Sequence, residues 1–241
     1  MSVTTEKTVG ELALEIPGAT RVFEKLGIDY CCGGGQTLEQ ACQAAHLPIN
    51  QAADALAEAK RVASTPTPAR NWQAEPLSEL LAHIQSTHHA YTREELARLG
   101  PLFDKVCAVH GENHSELLRL REIFNGLAGE LTTHLMKEEM VLFPYIVRME
   151  EAVVAKEPVL PPPFGSVRNP VAMMMHEHDG AGSALRDMRE ISNGYAAPLD
   201  ACVSFRTLYQ ALAALEADLH QHIHLENNVV FPRAIEMERA H

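Results

Sequence analysis

The sequence predicts an all-α protein, in which a small N-terminal helical domain precedes an up-down four-helix bundle made of two duplicated helix pairs. Apolar residues make up 46% of the 241 residues, which allows a substantial core, and aromatic residues only 5%, so strands are poorly supported. Four long segments show apolar residues at helical spacing. An eleven-residue pattern also occurs twice, at 134–144 and 222–232, with His, Glu, Val, Phe and Pro at the same offsets.

Residues 1–63 are predicted to form the small helical domain. Apolar side chains recur at helical spacing on both sides of Pro17-Gly18, and Gly27 ends the second of these segments. Thr37, followed by Gln40 three residues later, is typical of a capping box that opens a third helix. A fourth helix is expected from about residue 50 to 62.

Residues 64–75 are predicted to be a linker, and residues 76–241 the bundle. The Ser-Thr-Pro composition of 64–71 is typical of a connection without secondary structure. The first bundle helix is expected to end at Gly100-Pro101, because proline disfavours a helix interior. The others are expected to begin near residue 113, near 170 and after Pro198. The proline-rich segment 160–165 is expected to connect the two helix pairs stiffly.

The charge and cysteine content restrict the environment and the partners. A formal net charge of −12 makes nucleic acid and an anionic membrane surface poor partners. No apolar run approaches the roughly 20 residues of a membrane span, and residues 1–10 lack the apolar segment of a signal peptide. Five cysteines, an odd number, fit a reducing compartment. We therefore expect a cytoplasmic protein.

Each copy of the repeat places a histidine and a glutamate four residues apart on one face of a helix. The pairs are His134 with Glu138, and His222 with Glu226. If two such faces meet inside a bundle, two imidazoles and two carboxylates reach one interior point. The repeat therefore predicts a metal site.

Matching histidines are expected on the first helix of each pair. His89 lies 45 residues before His134, and His178 lies 44 residues before His222. A leucine follows His89 and another follows His178 by seven residues, on nearly the same helical face. Four imidazoles and two carboxylates suit iron, and manganese less well. The predicted ligands are His89, His134, Glu138, His178, His222 and Glu226.

Alternatives stay open at several positions. His88 competes with His89, because helical phase places His88 nearer the centre of the apolar stripe, and His176 competes with His178. A single His/Glu pair at this spacing is more often a solvated surface pair, and only the duplication argues against that. Glu139 and Glu177 adjoin ligands and either orient them, gate access or are merely solvated. The remaining histidines are interpreted as surface residues or residues behind the ligands: His46, His83, His88, His110, His114, His220, His224 and His241.

A second chemical feature is the cysteine pair, Cys31 and Cys32, which precedes three glycines. It lacks the C-x-x-C spacing of zinc and thioredoxin sites, and adjacent cysteines do not easily chelate one ion because the intervening peptide is stiff. We expect both thiols to be accessible, with a thiolate favoured if Cys32 lies near the helix that opens at Thr37. The alternative is two incidental small residues in a turn. Three isolated cysteines are expected to serve packing: Cys42, Cys107 and Cys202.

These motifs resemble a known family. The His-x-x-x-Glu spacing and histidine-rich shell across 76–235 resemble hemerythrin-like proteins rather than ferritin-type carboxylate bundles. Residues 10–17 and 29–34 are similar to the short N-terminal domain of the iron–sulfur cluster repair di-iron (RIC) family, and 136–144 and 225–234 to its hemerythrin-like domain. The resemblance implies two non-haem iron ions with oxo and carboxylate bridges, at the six ligands named above. It also places the family's cysteine pair on Cys31 and Cys32.

The resemblance implies a stress-response protein that helps to restore iron–sulfur clusters damaged by oxidative or nitrosative stress. Histidine and carboxylate hold ferrous iron less tightly than thiolate clusters do, so iron supply to apoproteins through Cys31 and Cys32 is the leading hypothesis. The rival hypotheses are reduction of nitric oxide at the di-iron centre, and binding or sensing of oxygen or nitric oxide. Expected partners are iron–sulfur apoproteins, damaged cluster proteins and the diatomics NO and O2. The linker also permits a homodimer that exchanges its cysteine domains.

Overall fold

The computed structural model describes residues 6–62 and 71–240. Within them the chain is helical and contains no strand, apart from one isolated bridge between Thr8 and Thr37, so the all-α prediction is confirmed. The chain packs as two compact units. Among the described residues, the first comprises 6–62, 71–76 and 220–234, and the second 77–219 and 235–240. Most of the predicted linker, up to residue 70, lies outside the described residues.

The N-terminal part of the first unit contains four short helices. They are α1 (Val9–Glu15), α2 (Ala19–Leu26), α3 (Leu38–Ala44) and α4 (Ile49–Val62). The predicted capping box at Thr37 and Gln40 is present, and Thr8 and Glu11 form a second one at α1. Gly27 ends α2 in the left-handed conformation (φ 67°), which glycine adopts without strain. The helices enclose a small core around Phe23, Leu38 and Leu56.

The long helices follow. They are α5 (Leu77–Ile84), α6 (Ala90–His110), α7 (Glu116–Lys137), α8 (Phe143–Ala155), α9 (Arg168–Ile191), α10 (Val203–Leu225) and α11 (Phe231–Ala240). Three of the joints between them are π-helical turns: π1 (Gln85–His89), π2 (Glu138–Leu142) and π3 (Glu226–Val230). Each π turn joins two helices without a break, so the described chain forms four long helical rods: α5–π1–α6, α7–π2–α8, α9 and α10–π3–α11. This number agrees with the predicted four-helix bundle. The fourth rod contributes residues 220–234 to the first unit and its other residues to the second.

The first rod is longer than the sequence predicted. The expected end at Gly100-Pro101 is wrong, because α6 continues through Pro101 to His110. Pro101 is exposed, and Leu99, Phe103 and Val106 continue the buried stripe beyond it. Burial of this apolar face outweighs the hydrogen bond that proline removes.

The core of the second unit is formed by apolar side chains from its long helices. Phe103 and Phe124 pack with ring centroids 5.0 Å apart, and Phe205 and Tyr209 pack edge to face at 4.8 Å. This core supports the segments that carry His89, His134 and His178. None of the described helices combines the length and apolarity that a membrane span requires.

Candidate metal centre

Each π-helical turn contains a predicted ligand at one of its ends. The N–H of Phe143 donates to the carbonyl of Glu138, and the N–H of Phe231 donates to that of Glu226, five residues earlier in both cases. Phe and Pro of the repeat therefore end a π turn that begins at the glutamate. The prolines that follow, Pro144 and Pro232, have no N–H and cannot form the α-helical bond that would close the turn more tightly. The five-residue spacing from Glu to Phe, with Pro next, therefore favours a π turn that begins at the predicted glutamate ligand.

The π turn that ends at His89 explains the ambiguity between the neighbouring histidines. Ala90 donates its N–H to the carbonyl of Gln85, so one extra residue is accommodated and the helical phase shifts. His89 is fully buried and belongs to a group of convergent His and Glu side chains that could hold a metal ion. His88 instead places its Nδ1 2.9 Å from a carboxylate oxygen of Asp218. The sequence-based prediction assumed regular α-helical phase, which favours His88, because nothing in the helical period indicates the π turn.

The structure brings all six predicted ligands into two overlapping groups. The ligand atoms of each group lie within 4.8 Å of one another. Glu138 and Glu226 belong to both groups, and every member is buried. His178 is the buried member, whereas the competing His176 is exposed. The groups are His89, Glu138, His222 and Glu226, and His134, Glu138, His178 and Glu226.

The spacings within these groups fit coordination of shared ions. Glu138 places Oε2 3.4 Å from His89 Nε2 and Oε1 3.4 Å from His134 Nε2. The Nε2 atoms of His134 and His178 are 3.1 Å apart, as are His222 Nε2 and Glu226 Oε1. Two ligand atoms about 2.1 Å from one ion, at angles of about 90 to 110°, lie roughly 3.0 to 3.4 Å apart. The donor set therefore fits iron, and one carboxylate oxygen of Glu138 faces each group.

The outward nitrogens of two of these histidines are held by carboxylates. His89 Nδ1 is 2.7 Å from Glu139, which pairs with Arg93, and His134 Nδ1 is 2.8 Å from Glu177, which pairs with Lys137. Burial alone would raise the pKa of both carboxyls, but their hydrogen bonds to a cation and a histidine lower it. Ionised carboxylates at Nδ1 turn Nε2 inward, so orientation of the ligands is the alternative that the geometry favours.

A cavity of about 430 Å³ borders the same site. It lies between α7 and α9, and its lining includes His134, His178 and the Lys137–Glu177 pair. Gly129 and Gly180 contribute no side chain to its walls. The cavity is large enough for a small diatomic molecule to approach the histidines.

The cysteine pair differs in part from its prediction. Cys31 is buried, 4% exposed, and only Cys32 is partly accessible. Hydrogen bonding with Cys32 and burial raise the pKa of the Cys31 thiol. The two Sγ atoms are 3.9 Å apart, so the stiff peptide does not prevent their approach. Of the other cysteines Cys42 and Cys107 are buried as predicted, but Cys202 is exposed and the packing assignment was wrong for it.

The segment 220–234 of the first unit holds the cysteine loop in place. Asn227 and Asn228 donate from Nδ2 to the carbonyl oxygen of Cys31, at 3.3 and 3.5 Å. Gln221 donates to the hydroxyl of Tyr30 at 2.8 Å, and the Tyr30 ring packs against His224. Burial lowers the pKa of His224 to about 4, so its imidazole is neutral. Sequence reasoning missed both asparagines, because nothing local marks them as partners of residues about 200 positions away.

The fold and site define the class of the protein: the chain belongs to the hemerythrin HHE cation binding domain family, which it matches over residues 80–234. Residues 5–60 match a second family, ScdA_N, described as a domain of unknown function. Membership of the hemerythrin family implies iron binding, and the His/Glu groups suit a metal site.

Individual relatives make the comparison more specific. The chain is 37% identical over 237 residues to the iron–sulfur cluster repair protein YtfE of Pectobacterium atrosepticum, which covers 97% of this chain and 98% of the relative. It is 38% identical to the protein of the same name from Cronobacter sakazakii, covering 97% and 98%. The Escherichia coli O157:H7 protein is 36% identical, covering 95% and 97%. The resemblance to the iron–sulfur cluster repair family is therefore confirmed.

Proposed function

We propose that this protein holds two iron ions in the bundle and supplies iron for the repair of damaged iron–sulfur clusters. The observation that carries the proposal is that the two ligand groups share Glu138 and Glu226. Two carboxylates common to two groups of imidazoles are the arrangement expected of a bridged pair of ions. The names of the relatives support cluster repair as the purpose.

The ligands, the carboxylates behind them and the cysteine pair have separate roles in this proposal. Four imidazoles and two carboxylates hold ferrous iron without a thiolate, which leaves it more readily released than iron in a thiolate cluster. Glu139 and Glu177 hold Nδ1 of His89 and His134, and so keep the inward nitrogens pointed at the ions. Cys31 and Cys32 then receive iron for delivery to an apoprotein. None of the five cysteines, all of which lie among the described residues, forms a disulfide, which fits action in the reducing cytoplasm.

Iron content and delivery test this proposal together. We expect about two iron ions per chain, and a Glu138→Gln, Glu226→Gln double variant that loses most of them because both shared carboxylates become neutral amides. Replacing Cys31 and Cys32 by Ala should leave the iron content unchanged but slow reactivation of a cluster enzyme inactivated by nitric oxide. One ion per chain would contradict the two-iron site, and unchanged reactivation would contradict the relay.

The cavity beside His134 and His178 favours a second candidate, the reduction of nitric oxide to nitrous oxide. When bound, ferrous iron would supply the electrons, and two NO with two electrons and two protons give N2O and water. Anaerobic mixing of the reduced protein with nitric oxide, followed by gas analysis, decides this. Continued N2O release with an added reductant would support turnover, and none would eliminate it.

A further inference from the structure

A second cluster of ligand atoms lies in the first unit, in the loop between α2 and α3. Asp29, Cys31 and Cys32 each offer one donor atom, and these atoms lie within 4.8 Å of one another. The Sγ atoms of the cysteines are 3.9 Å apart, and Cys31 Sγ is 3.3 Å from Asp29 Oδ1. Two thiols and one carboxylate therefore converge without any histidine.

These distances match those of a coordinated ion. Two thiolates about 2.3 Å from a tetrahedral ion lie roughly 3.8 Å apart, and a thiolate and a carboxylate oxygen on the same ion roughly 3.6 Å apart. The observed separations of 3.9 and 3.3 Å differ from these values by only a few tenths of an ångström.

The backbone holds this loop in the required shape. Asp29 Oδ1 accepts hydrogen bonds from the N–H groups of Cys31, Cys32 and Gly33, at 3.2, 2.9 and 3.0 Å. A Cβ added to Gly33 would lie 2.8 Å from the carbonyl oxygen of Asp29, so the turn needs glycine there. The carboxylate and both cysteines are thus fixed relative to each other before any ion binds.

The loop is also anchored to π3, which begins at Glu226, a predicted ligand shared by both bundle groups. Asn227 and Asn228, which bond the Cys31 carbonyl, lie directly after Glu226 in π3. The same segment therefore carries a ligand of the bundle groups and holds the loop with the three donors. One short helical segment therefore links the predicted bundle ligand Glu226 to the loop that carries the sulfur donors.

We propose that Asp29, Cys31 and Cys32 form a second metal site, which takes one divalent ion of borderline softness. Two sulfur donors and one oxygen favour ferrous iron or zinc over magnesium or calcium. On binding, both thiol protons pass to the solvent, and a fourth position stays open for a thiolate of a recipient protein. The identity of the ion as iron in transit rests on the proposed function, whereas the site itself does not.

Cobalt(II) provides the test, because thiolate ligands give it a charge-transfer band in the near ultraviolet that imidazole and carboxylate ligands do not. The reduced full-length protein is titrated anaerobically with Co²⁺ alone. We expect a thiolate band that saturates at one ion per chain and disappears in the Cys31→Ser, Cys32→Ser double variant. Cys202→Ser, which removes an exposed thiol elsewhere, should retain the band.

Asp29→Asn isolates the carboxylate, because asparagine keeps an Oδ1 that accepts the three N–H bonds. We expect this variant to bind Co²⁺ at least tenfold more weakly with unchanged helicity by circular dichroism. Equal affinity would overturn the role of Asp29. A thiolate band that is absent from the unmodified protein, or that persists in the double cysteine variant, would overturn the site.

The outcome is separable from that of the proposed function. The Glu138→Gln, Glu226→Gln variant, which tests the bundle, should retain the thiolate band in full. Asp29→Asn should retain the bundle iron measured by metal analysis. Loss of the thiolate band together with the bundle iron in the glutamate variant would show that no independent second site exists.

Discussion

At the scale of single residues, some carboxylates face the inward Nε2 atoms of the histidines and others bond their outward Nδ1 atoms. Glu138 faces the Nε2 atoms of two histidines, whereas Glu139, the next residue, holds the outward Nδ1 of His89. The π turn that begins at Glu138 contains both glutamates, so they point to opposite sides of the same imidazole. Adjacent residues of one type therefore serve different purposes.

Removal of the outward carboxylate tests its effect on metal binding. We predict that Glu139→Gln lowers iron affinity by about 10- to 100-fold, because the amide holds the His89 imidazole less firmly and pairs less well with Arg93. Competition with an iron chelator measures this affinity. Glu151→Gln, at an exposed position on α8, should leave it unchanged. An unchanged affinity in Glu139→Gln would mean that packing alone orients His89.

A histidine far from the metal centre contributes a pH-dependent term to stability. Hydrogen bonds with Asp200 and Glu116 raise the pKa of His114, so its stabilisation is complete below about pH 6.5 and is lost as the pH rises through the raised value. Asp200, whose pKa is lowered by His114, contributes above its unfolded value of about 4 and loses this as the pH falls. The pair therefore stabilises the protein most between these limits.

Urea unfolding of His114→Gln checks this window. Because the pair borders solvent, we expect the variant to be only slightly less stable at pH 6, with the difference vanishing near pH 9. Asp200→Asn should show the same loss at pH 6. A difference that grows toward alkaline pH would contradict the assignment.

At the scale of elements, the contact between π3 and the cysteine loop requires that backbone atoms of the first unit lie close to the Asn228 side chain. A Cβ on Gly34 would lie 2.3 Å from Oδ1 of Asn228, and one on Gly10 2.8 Å from the same atom. Two glycines therefore make room for one asparagine side chain, which bonds the Cys31 carbonyl. The contact between the loop and π3 needs small residues on the loop side.

Gly34→Ala should disturb this contact selectively. We expect it to displace Asn228 and destabilise the protein by about 1 to 3 kcal/mol, as overpacking does. Loss of the hydrogen bond from Asn228 to the Cys31 carbonyl should also speed the reaction of the Cys31 thiol with a thiol reagent. Gly35→Ala is the matched control, since nothing lies within 4 Å of a Cβ there. Equal labelling rates in both variants would show that Asn228 does not hold the loop.

At the scale of the whole molecule, the bundle core supports ligand segments that are distant in sequence. Phe103 is fully buried beyond Pro101, in the part of α6 that the sequence assigned to no helix. Its ring packs against Phe124 of α7 and belongs to the core of the second unit. That core stabilises the helical segments that carry three of the predicted histidine ligands.

Truncation of this side chain measures the contribution of the core. We predict that Phe103→Ala lowers the free energy of unfolding by about 3 to 5 kcal/mol, because it removes a large buried side chain and leaves a cavity. Leu118→Ala, at a position on α7 that is 47% exposed, should change it by less than about 0.5 kcal/mol. Chemical denaturation of the full-length chain compares the two, and similar losses would contradict the described packing.

The sequence by itself determined the helical class, the two repeated His/Glu pairs and the type of metal they suit. These features are local: helical period places residues four apart on one face, and a duplicated chain repeats that face. The capping box at Thr37 and the family resemblance followed from local patterns in the same way.

Only the tertiary structure placed His89 and not His88 in a His/Glu group, carried α6 through Pro101, and placed Asn227 and Asn228 on the Cys31 carbonyl. It also brought Asp29 and the two thiols within coordination distance. The π turn changes the helical phase that sequence reasoning assumes to be constant. The helix continues through Pro101 because burial of its apolar face stabilises it more than the lost hydrogen bond destabilises it. This burial depends on packing between remote segments, as do the contacts between residues nearly 200 positions apart, and local periodicity does not encode such packing.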